Sequence, residues 1–287
     1  MHPFQIKIRK AGFLTLSICL FSMMPLGEYG FKLQDDQINH RGTFAQTMEK
    51  KPEYILHDAS SRGHADHGWL NTYHSFSFAQ WHDPMRMHFG ALRVLNDDFV
   101  SAGNGFGKHP HDNMEIISIP LEGSLRHEDS MGTAAVIAKG DVQIMTAGTG
   151  ILHSEKNNSS IDPVRFLQIW VFPNEKDLTP RYEQQTFKPE AEHNDFLCVV
   201  SPTGEEGIRI HQDAWFHLGT WDKGYNQTYE IKRSGQGVYV FVLEGSIEID
   251  GHSLNRRDAM GISGAEMVNV SATSDSRFLL MDIPMEW

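Results

Sequence analysis

The clearest structural signal in the sequence is the stretch GFGKHPHDNMEIISIPLEGS, residues 105–124. Its second half has the length and the β-branched residues of a strand, and Glu122-Gly123 then supplies a turn with positive φ. Similar apolar runs, separated by turn residues about every 8–12 positions, continue from Ile55 onward. No helical period of 3.6 residues lasts beyond a couple of turns. The sequence therefore predicts an all-β protein built as a sandwich or barrel.

Part of this stretch occurs twice. Leu121-Glu122-Gly123-Ser124 is matched by Leu243-Glu244-Gly245-Ser246. A weaker pair follows in the same order, GDVQIM at 140–145 and RDAMGI at 257–262. Solenoid units run about 20–50 residues, and this repeat is far longer, so it indicates a duplicated domain. We therefore expect two β-barrels in tandem.

Composition limits the function classes. The 287 residues carry a formal net charge of −12, so there is no basic footprint for a phosphate backbone, and nucleic-acid binding is not expected. The two cysteines, Cys19 and Cys198, cannot form a disulfide framework or a Cys-x-x-Cys zinc site. The 16 histidines are numerous for this length, and imidazole is the commonest metal ligand. Their positions are therefore the main guide to function.

Residues 1–50 are interpreted as an N-terminal extension. A basic start precedes an uncharged run from Ala11 to Gly27, which has the outline of a secretory signal. The run is shorter than the about 20 apolar residues of a membrane span, and no clear small-x-small cleavage site follows. An upstream start, with the working protein beginning at Met48, is an alternative. We expect a cytoplasmic protein without a stable membrane span, or an exported one if residues 1–27 act as a signal peptide.

Two pairs of candidate metal ligands lie in the first repeat. His109 and His111 are two residues apart, so on a strand both side chains point to one face, about 7 Å apart along the chain. His153 and Glu155 form a second pair with the same spacing, after a Gly-rich turn at 148–150. Two facing strands with these pairs would form a three-His, one-carboxylate site with open coordination positions. Such a site suits Fe(II) and related divalent metals better than a closed structural zinc.

These motifs resemble those of a known family. Residues 105–123 look like the first cupin motif, and residues 141–155 look like the pirin version of the second. The resemblance covers about residues 55–285, and its further motifs are RGH at 62–64, HSFSF at 74–78, QIW at 168–170 and TPRYEQ at 179–184. The chain is thus similar to the pirins of the cupin superfamily, and within them to the bacterial quercetinase branch.

The resemblance implies a bicupin fold, which is two tandem jelly-roll β-barrels with a metal only in the first. The expected domains are the extension at 1–50, a metal-binding cupin barrel at 51–175 and a metal-free cupin barrel at 176–287. The second barrel is expected to have a structural role or to act as a lid.

The repeat offers an internal test of which barrel binds metal. Counted from the matched turns, each candidate ligand of the first repeat has a counterpart in the second. In order, His109, His111, His153 and Glu155 correspond to Ile231, Arg233, Val270 and Ala272. None of these four counterparts is a usual metal ligand, which agrees with a metal site in the first barrel alone.

By motif, the resemblance assigns the metal to His109, His111, His153 and Glu155. Ordinary cupins use the glutamate of the first motif, here Glu115, whereas pirins use the glutamate two residues after the second-motif histidine. Glu115 is expected on the same side of its strand as His111, so it stays open as the fourth ligand or as a group that orients an imidazole. The implied cofactor is one divalent ion, with Fe(II) first and Co, Ni, Cu or Zn as alternatives.

The resemblance also implies an activity. It is that of a quercetin 2,3-dioxygenase, an oxidoreductase that incorporates both atoms of O₂ into a flavonol and releases carbon monoxide. Glu155 is the candidate catalytic residue, as acceptor of the substrate hydroxyl proton. The expected partners are a small aromatic flavonol and O₂, and the chain is expected to be a monomer. The alternatives are a non-enzymatic metal- or redox-responsive regulator acting through protein partners, and a cupin enzyme on another small substrate.

The remaining histidines have simpler interpretations. Five of them precede the barrel motifs at spacings that fit no single face: His64, His67, His74, His82 and His88. We expect them to be hydrogen-bonded loop and strand residues, some at the rim of the pocket. His127 follows the turn at Gly123 and is expected to be a solvated hairpin residue. The neighbouring aromatic residues are expected mainly in the core, with one or two lining a flavonoid-sized cavity: Phe76, Phe78, Trp81 and Trp170.

Overall fold

A computed structural model describes residues 51–287, and the predicted extension at 1–50 lies outside this range. The regular secondary structure of the described residues consists of β-strands, apart from two short 3₁₀ turns at Ala59–Ser61 and Pro189–Glu192. No helix among residues 51–287 is long and apolar enough to cross a membrane. The strands of the first half are β1 Glu53–His57, β2 Gly63–Asp66, β3 Leu70–His74, β4 Leu92–Val100, β5 Gly105–His111, β6 Glu115–Glu122, β7 Ser124–Asp129, β8 Ala134–Ala138, β9 Asp141–Thr146, β10 Ile151–Asn157, β11 Val164–Val171 and β12 Arg181–Thr186. Those of the second half are β13 Leu197–Ser201, β14 Ile208–Arg209, β15 Trp215–Trp221, β16 Asn226–Glu230, β17 Gln236–Glu244, β18 Ser246–Ile249, β19 His252–Asn255, β20 Ala259–Ser263, β21 Met267–Ala272 and β22 Ser276–Pro284.

The strands form two jelly-roll domains, each with a seven-stranded and a four-stranded sheet. The first domain has the orders β12-β9-β6-β11-β4-β3-β2 and β5-β10-β7-β8. The second has β1-β20-β17-β22-β15-β13-β14 and β16-β21-β18-β19. Both sheets of the first domain contribute to one inner core, for example Phe166 from the larger sheet and Leu125 from the smaller one. The predicted all-β, two-domain architecture is confirmed.

The two domains exchange strands at their outer edges. β1 pairs with β20 of the second domain, from Glu53 opposite Ser263 to His57 opposite Ala259. β12 pairs with β9 of the first domain, so Arg181 lies opposite Thr146. The ranges predicted from the sequence, 51–175 and 176–287, follow chain order and therefore differ from the sheets at these two strands. The partner of an outer strand is far away in sequence, and no local pattern reports it.

The repeated turns have the conformation that their glycines indicate. Gly123 and Gly245 both have φ of 73°, in the left-handed region that favours glycine. A Cβ at Gly123 would lie 2.9 Å from the carbonyl oxygen of Pro163, and one at Gly245 would lie 2.1 Å from that of Asp275. The two turns therefore require glycine for its conformation and for the close approach of another backbone segment.

The two seven-stranded sheets share an apolar core between the domains. Ile117 and Ile169 of the first sheet and Phe216 and Leu279 of the second belong to this core and are fully buried. Because side chains alternate along a strand, the neighbour Ser118 points the other way, into the interior of the first domain. The outer face of each large sheet thus joins the domains, and the inner face lines the interior of its own domain.

Candidate metal centre

Three imidazoles converge inside the first domain. His109 and His111 lie on β5, and His153 lies directly opposite His109 on β10. The ring centroids are 4.8 Å apart for His109 and His111, 4.5 Å for His109 and His153, and 5.0 Å for His111 and His153. One ring nitrogen from each lies within 4.8 Å of the others. The two strands are adjacent in one sheet instead of facing each other across the interior, and cross-strand neighbours are close enough to form the cluster.

Glu155 lies next to His153 on the inner face of β10 and is held by three donors. Ser118 Oγ donates to Glu155 Oε1 at 2.7 Å, and Gln143 Nε2 lies 3.4 Å from the same oxygen. Gln168 Nε2 donates to Oε2 at 2.6 Å. The three donors lie side by side on β9, β6 and β11, because Ser118 pairs with both Gln143 and Gln168. None of the three was predicted from the sequence as a site residue, although each is a polar residue with an apolar residue on either side of it.

Glu115 is directed away from the imidazoles. It is fully buried, and its Oε2 accepts the backbone N–H of His211 at 3.3 Å. Its Oε1 lies 3.5 Å from His211 Nδ1, on the side of the second domain. The expectation that Glu115 shares a side with His111 was wrong, because Asn113, with φ of 45°, makes a turn between β5 and β6. Alternation counted from His111 does not continue through that turn.

His127 is buried, and its prediction as a solvated residue was wrong. Its side chain is 0% exposed, and Nε2 lies 3.1 Å from Asp129 Oδ2. A ring nitrogen of His127, a ring nitrogen of His153 and a carboxylate oxygen of Glu155 lie within 4.8 Å of one another. Leu125, His127 and Asp129 alternate on the inner face of β7. That alternation is the signal in the sequence that could have placed His127 inside.

The ring nitrogens of the three-histidine cluster fit a divalent cation. His109 Nδ1 lies 2.7 Å from the carbonyl oxygen of Gly107, so this nitrogen carries the proton and Nε2 has the free lone pair. Burial and the neighbouring imidazoles lower the pKa of His111 to about 4 and that of His153 to about 3. Neutral imidazole is the form that binds metal. Neither ring nitrogen of His153 has a hydrogen-bond partner among the described residues, although both are buried.

A cavity of about 500 Å³ opens onto this cluster, which is within the usual range for small-molecule sites. Trp170 contacts His111 edge-on with ring centroids 4.9 Å apart, and Phe78 packs against Trp170 at 5.4 Å. Besides the cluster and Glu155, its lining is partly aromatic and partly polar and includes Phe78, Trp81, Phe106, Trp170, Thr72, His74, Asn96, Asp98 and Gln168.

The five early histidines and the aromatic residues divide between this cavity and other parts of the fold. His64, His67 and His74 line the cavity, whereas His82 and His88 are not among the described lining residues. His74 is buried and its Nδ1 lies 2.8 Å from Asn96 Oδ1. Of the four aromatic residues expected mainly in the core, Phe76 is in the core between the domains. The other three line the cavity: Phe78, Trp81 and Trp170.

Comparison with known proteins gives one consistent answer. The chain matches the Pirin family over residues 56–171 and the quercetinase C-terminal cupin domain over residues 198–283. It is 43% identical over 230 residues to quercetin 2,3-dioxygenase of Escherichia coli K12, covering 80% of this chain and 98% of that protein. A pirin-like protein of Caulobacter vibrioides is 36% identical, with 77% and 95% covered. The crystal structure of the bacterial pirin YhhW from E. coli, in complex with nickel(II), aligns with a TM-score of 0.77 at 40% identity over 81% of this chain and 99% of that one. The chain belongs to the pirin family.

Proposed function

We propose that this protein is a metal-dependent dioxygenase that cleaves flavonols such as quercetin with O₂ and releases carbon monoxide. The observation that carries the proposal is the three-histidine cluster at a cavity of about 500 Å³ with aromatic walls. The 43% identity to a quercetin 2,3-dioxygenase supports the substrate class. In this proposal the metal ligands are His109, His111, His153 and Glu155, and the ion is Fe(II).

The proposed ligands combine three imidazoles with one carboxylate, a donor set that suits a catalytic divalent ion with open positions. When bound, the ion supplies a Lewis acid for the substrate oxygen and the redox chemistry for O₂. The unpaired nitrogens of His153 are a reason for the ion to bind, since an unsatisfied buried polar group costs about 1–3 kcal/mol.

The aromatic walls orient the substrate. Phe78, Trp81 and Trp170 offer apolar ring surfaces to a flat molecule and exclude water from the face on which it lies. Trp170 packs directly against His111, so the aromatic wall is in contact with one of the proposed metal ligands. In this proposal the flavonol lies against this wall with its oxygen substituents towards the imidazoles, so that the reacting groups are held close together.

Glu155 accepts the proton of the flavonol hydroxyl. The donors Ser118, Gln143 and Gln168 fix its carboxylate, so no reorientation is needed when substrate enters. Oε1 already faces two donors, whereas Oε2 faces only Gln168 among the described side chains. Oε2 therefore has the free lone pair, which would hold the metal and, once released from it, accept the proton.

The proposed activity is tested with the full chain, freed of metal and reloaded separately with Fe(II), Co(II), Ni(II), Cu(II) or Zn(II). Each form is incubated with quercetin with and without O₂, and the flavonol absorbance and the carbon monoxide released are measured. We expect O₂-dependent loss of quercetin with carbon monoxide, fastest with Fe(II). A protein that leaves quercetin unchanged with every metal would contradict the proposal and favour a regulator or a different substrate.

Two buried glutamates allow a matched test of the fourth ligand. Glu155→Gln removes the carboxylate beside His153, and Glu115→Gln removes the one beside His211. We expect Glu155→Gln to lose both quercetin cleavage and tight metal binding, and Glu115→Gln to keep both. The reverse pattern would assign the fourth ligand to Glu115.

A further inference from the structure

Buried nitrogens without partners indicate a role for His127. Among residues 51–287, neither nitrogen of His153 has a hydrogen-bond partner, and neither does Nδ1 of His127. His109 differs, because its Nδ1 donates to the carbonyl oxygen of Gly107. A histidine that ligates a metal through one nitrogen usually donates its other N–H to a carboxylate, a carbonyl or water. His153 therefore lacks the acceptor that His109 has.

The orientation of His127 is fixed by Asp129. His127 Nε2 lies 3.1 Å from Asp129 Oδ2, and a carboxylate can only accept, so Nε2 carries the proton. Asp129 Oδ1 is held in turn by the backbone N–H groups of Met131 at 2.8 Å and Thr133 at 3.0 Å. In this tautomer Nδ1 of His127 is an acceptor with a free lone pair.

We propose that His127 is a positioning residue for the metal ligand His153: its Nδ1 accepts the N–H of the His153 nitrogen that the metal does not use. The proposal rests on the ligand set proposed above. The rings are adjacent, with centroids 5.4 Å apart. The resulting chain from Asp129 through His127 to His153 gives every buried imidazole nitrogen along it a partner. It also fixes which nitrogen of His153 faces the metal.

Two further observations support this role. Tyr182 packs on His127 with ring centroids 4.7 Å apart, but its hydroxyl donates to Gln184 Oε1 at 2.8 Å and so is not the donor for His127. In the second domain the matched turns place Ile249 at the position of His127. The inner imidazole is thus missing from the same copy of the fold that lacks the ligand histidines.

The first experiment measures the affinity of the apoprotein for Ni(II) by competition with a chelator, without flavonol. His127→Ala should weaken Ni(II) binding about 10- to 100-fold, the usual effect of losing a partner of a ligand histidine. His127→Gln should recover part of that loss, since its amide can accept from His153 and donate to Asp129. His217→Ala is the matched control: His217 is also buried with an unpaired Nδ1, but it lies in the second domain. Unchanged Ni(II) affinity in a folded His127→Ala variant would overturn the proposal.

The second experiment determines the state of each ring nitrogen by ¹⁵N NMR in the Zn(II)-loaded chain. We expect one His153 nitrogen bound to metal and the other carrying a hydrogen-bonded proton, while Nδ1 of His127 is neither protonated nor bound to metal. A metal-bound His127 would overturn the proposal and make His127 a ligand together with His153 and Glu155. Neither experiment uses quercetin, so a failed dioxygenase assay would contradict the proposed function alone.

Discussion

The two jelly-roll domains share one fold but fill their interiors in opposite ways. In the first domain, three polar residues lie side by side on adjacent strands and bind Glu155: Ser118, Gln143 and Gln168. In the second domain the same three positions, paired in the same register on β20, β17 and β22, are apolar: Met260, Val240 and Leu280. The second interior is a packed apolar cluster. The fold decides which positions face inward, and the residues at those positions decide whether the interior binds a metal or only packs.

The same comparison corrects the counterparts counted from the sequence. Val270 pairs with Ile249 as Glu155 pairs with His127, so Val270 and not Ala272 stands in the place of Glu155. The counts were two residues off, because the domains differ in length between the matched strands. By strand pairing the four proposed ligand positions, in the order His109, His111, His153 and Glu155, are occupied in the second domain by Tyr229, Ile231, Val268 and Val270.

The largest expected effect comes from substituting a proposed ligand in the first domain. The residue at the matching position of the second domain serves as the control. His109→Ala should lose quercetin cleavage and more metal affinity than the roughly 100-fold loss caused by removing a ligand's partner. Tyr229→Phe, at the matching position, removes a hydroxyl that donates to Asp282 and should leave metal binding unchanged. Metal affinity and quercetin consumption are measured for both. Full activity of metal-depleted His109→Ala would contradict the view that a metal site in the first domain distinguishes it from the second.

The next largest effect is expected when the polar residue Gln168 and the apolar residue at its matching position, Leu280, are each replaced by the other type of residue. Leu280→Gln places an amide without a partner in the apolar interior and should lower the free energy of unfolding by about 2–5 kcal/mol. Gln168→Leu removes the donor to Glu155 Oε2, so metal affinity should fall about 10- to 100-fold. Urea unfolding and metal titration of both variants give the comparison. If Gln168→Leu binds metal normally, the polar cradle of Glu155 is not what distinguishes the first domain.

The sequence was sufficient for features that depend on local periodicity. The spacing of His109 and His111, and of His153 and Glu155, follows from the two-residue period of a strand, and the structure brings the three imidazoles together. The repeated glycine turns predicted the duplicated fold for a similar reason, since a turn with positive φ is a local property.

Features that depend on the register between distant strands could not be read in this way. Ser118, Gln143 and Gln168 are each unremarkable in their own strands, and they meet only because β9, β6 and β11 pair in one register. The direction of Glu115 depends on a turn at Asn113, a residue that adopts positive φ without requiring it.

The interior of the second domain should lose stability on the acid side. Burial lowers the pKa of His217 to about 3, below the ordinary 6.5. Above pH 6.5 the imidazole is neutral in both states, and as the pH falls below 6.5 only the unfolded chain takes up the proton. His217 should therefore lower the free energy of unfolding by up to about 1.4 kcal/mol for each pH unit between 6.5 and 3. By pH 5 the loss should reach about 2 kcal/mol. His217→Leu should remove this part of the acid sensitivity, measured by urea unfolding at pH 7.5 and 5. An equal loss in both proteins would contradict the prediction.

The interior of the first domain should respond to pH in the opposite direction through Asp98. Burial raises the pKa of this carboxyl to about 7, and its Oδ1 has no partner among the described residues. Because the raised pKa belongs to an acid, the folded chain keeps the proton that the unfolded chain has released, and the stability this gives is lost as the pH rises from about 4 to 7. Asp98→Asn should therefore be more stable relative to the parent at pH 8 than at pH 6, by roughly 1 kcal/mol.

Asp97→Asn is the matched control, since the neighbouring carboxylate pairs with Arg62 and Arg257 outside the cavity. Asp97→Asn removes the charge that pairs with the two arginines and should destabilise the chain, whereas Asp98→Asn should stabilise it at pH 8. The comparison requires metal-free protein, because a bound cation would favour the charged carboxyl. A stability difference between Asp98→Asn and the parent that does not change with pH would mean that the polar interior solvates the carboxylate. The two interiors would then differ in packing but not in their capacity to hold charge.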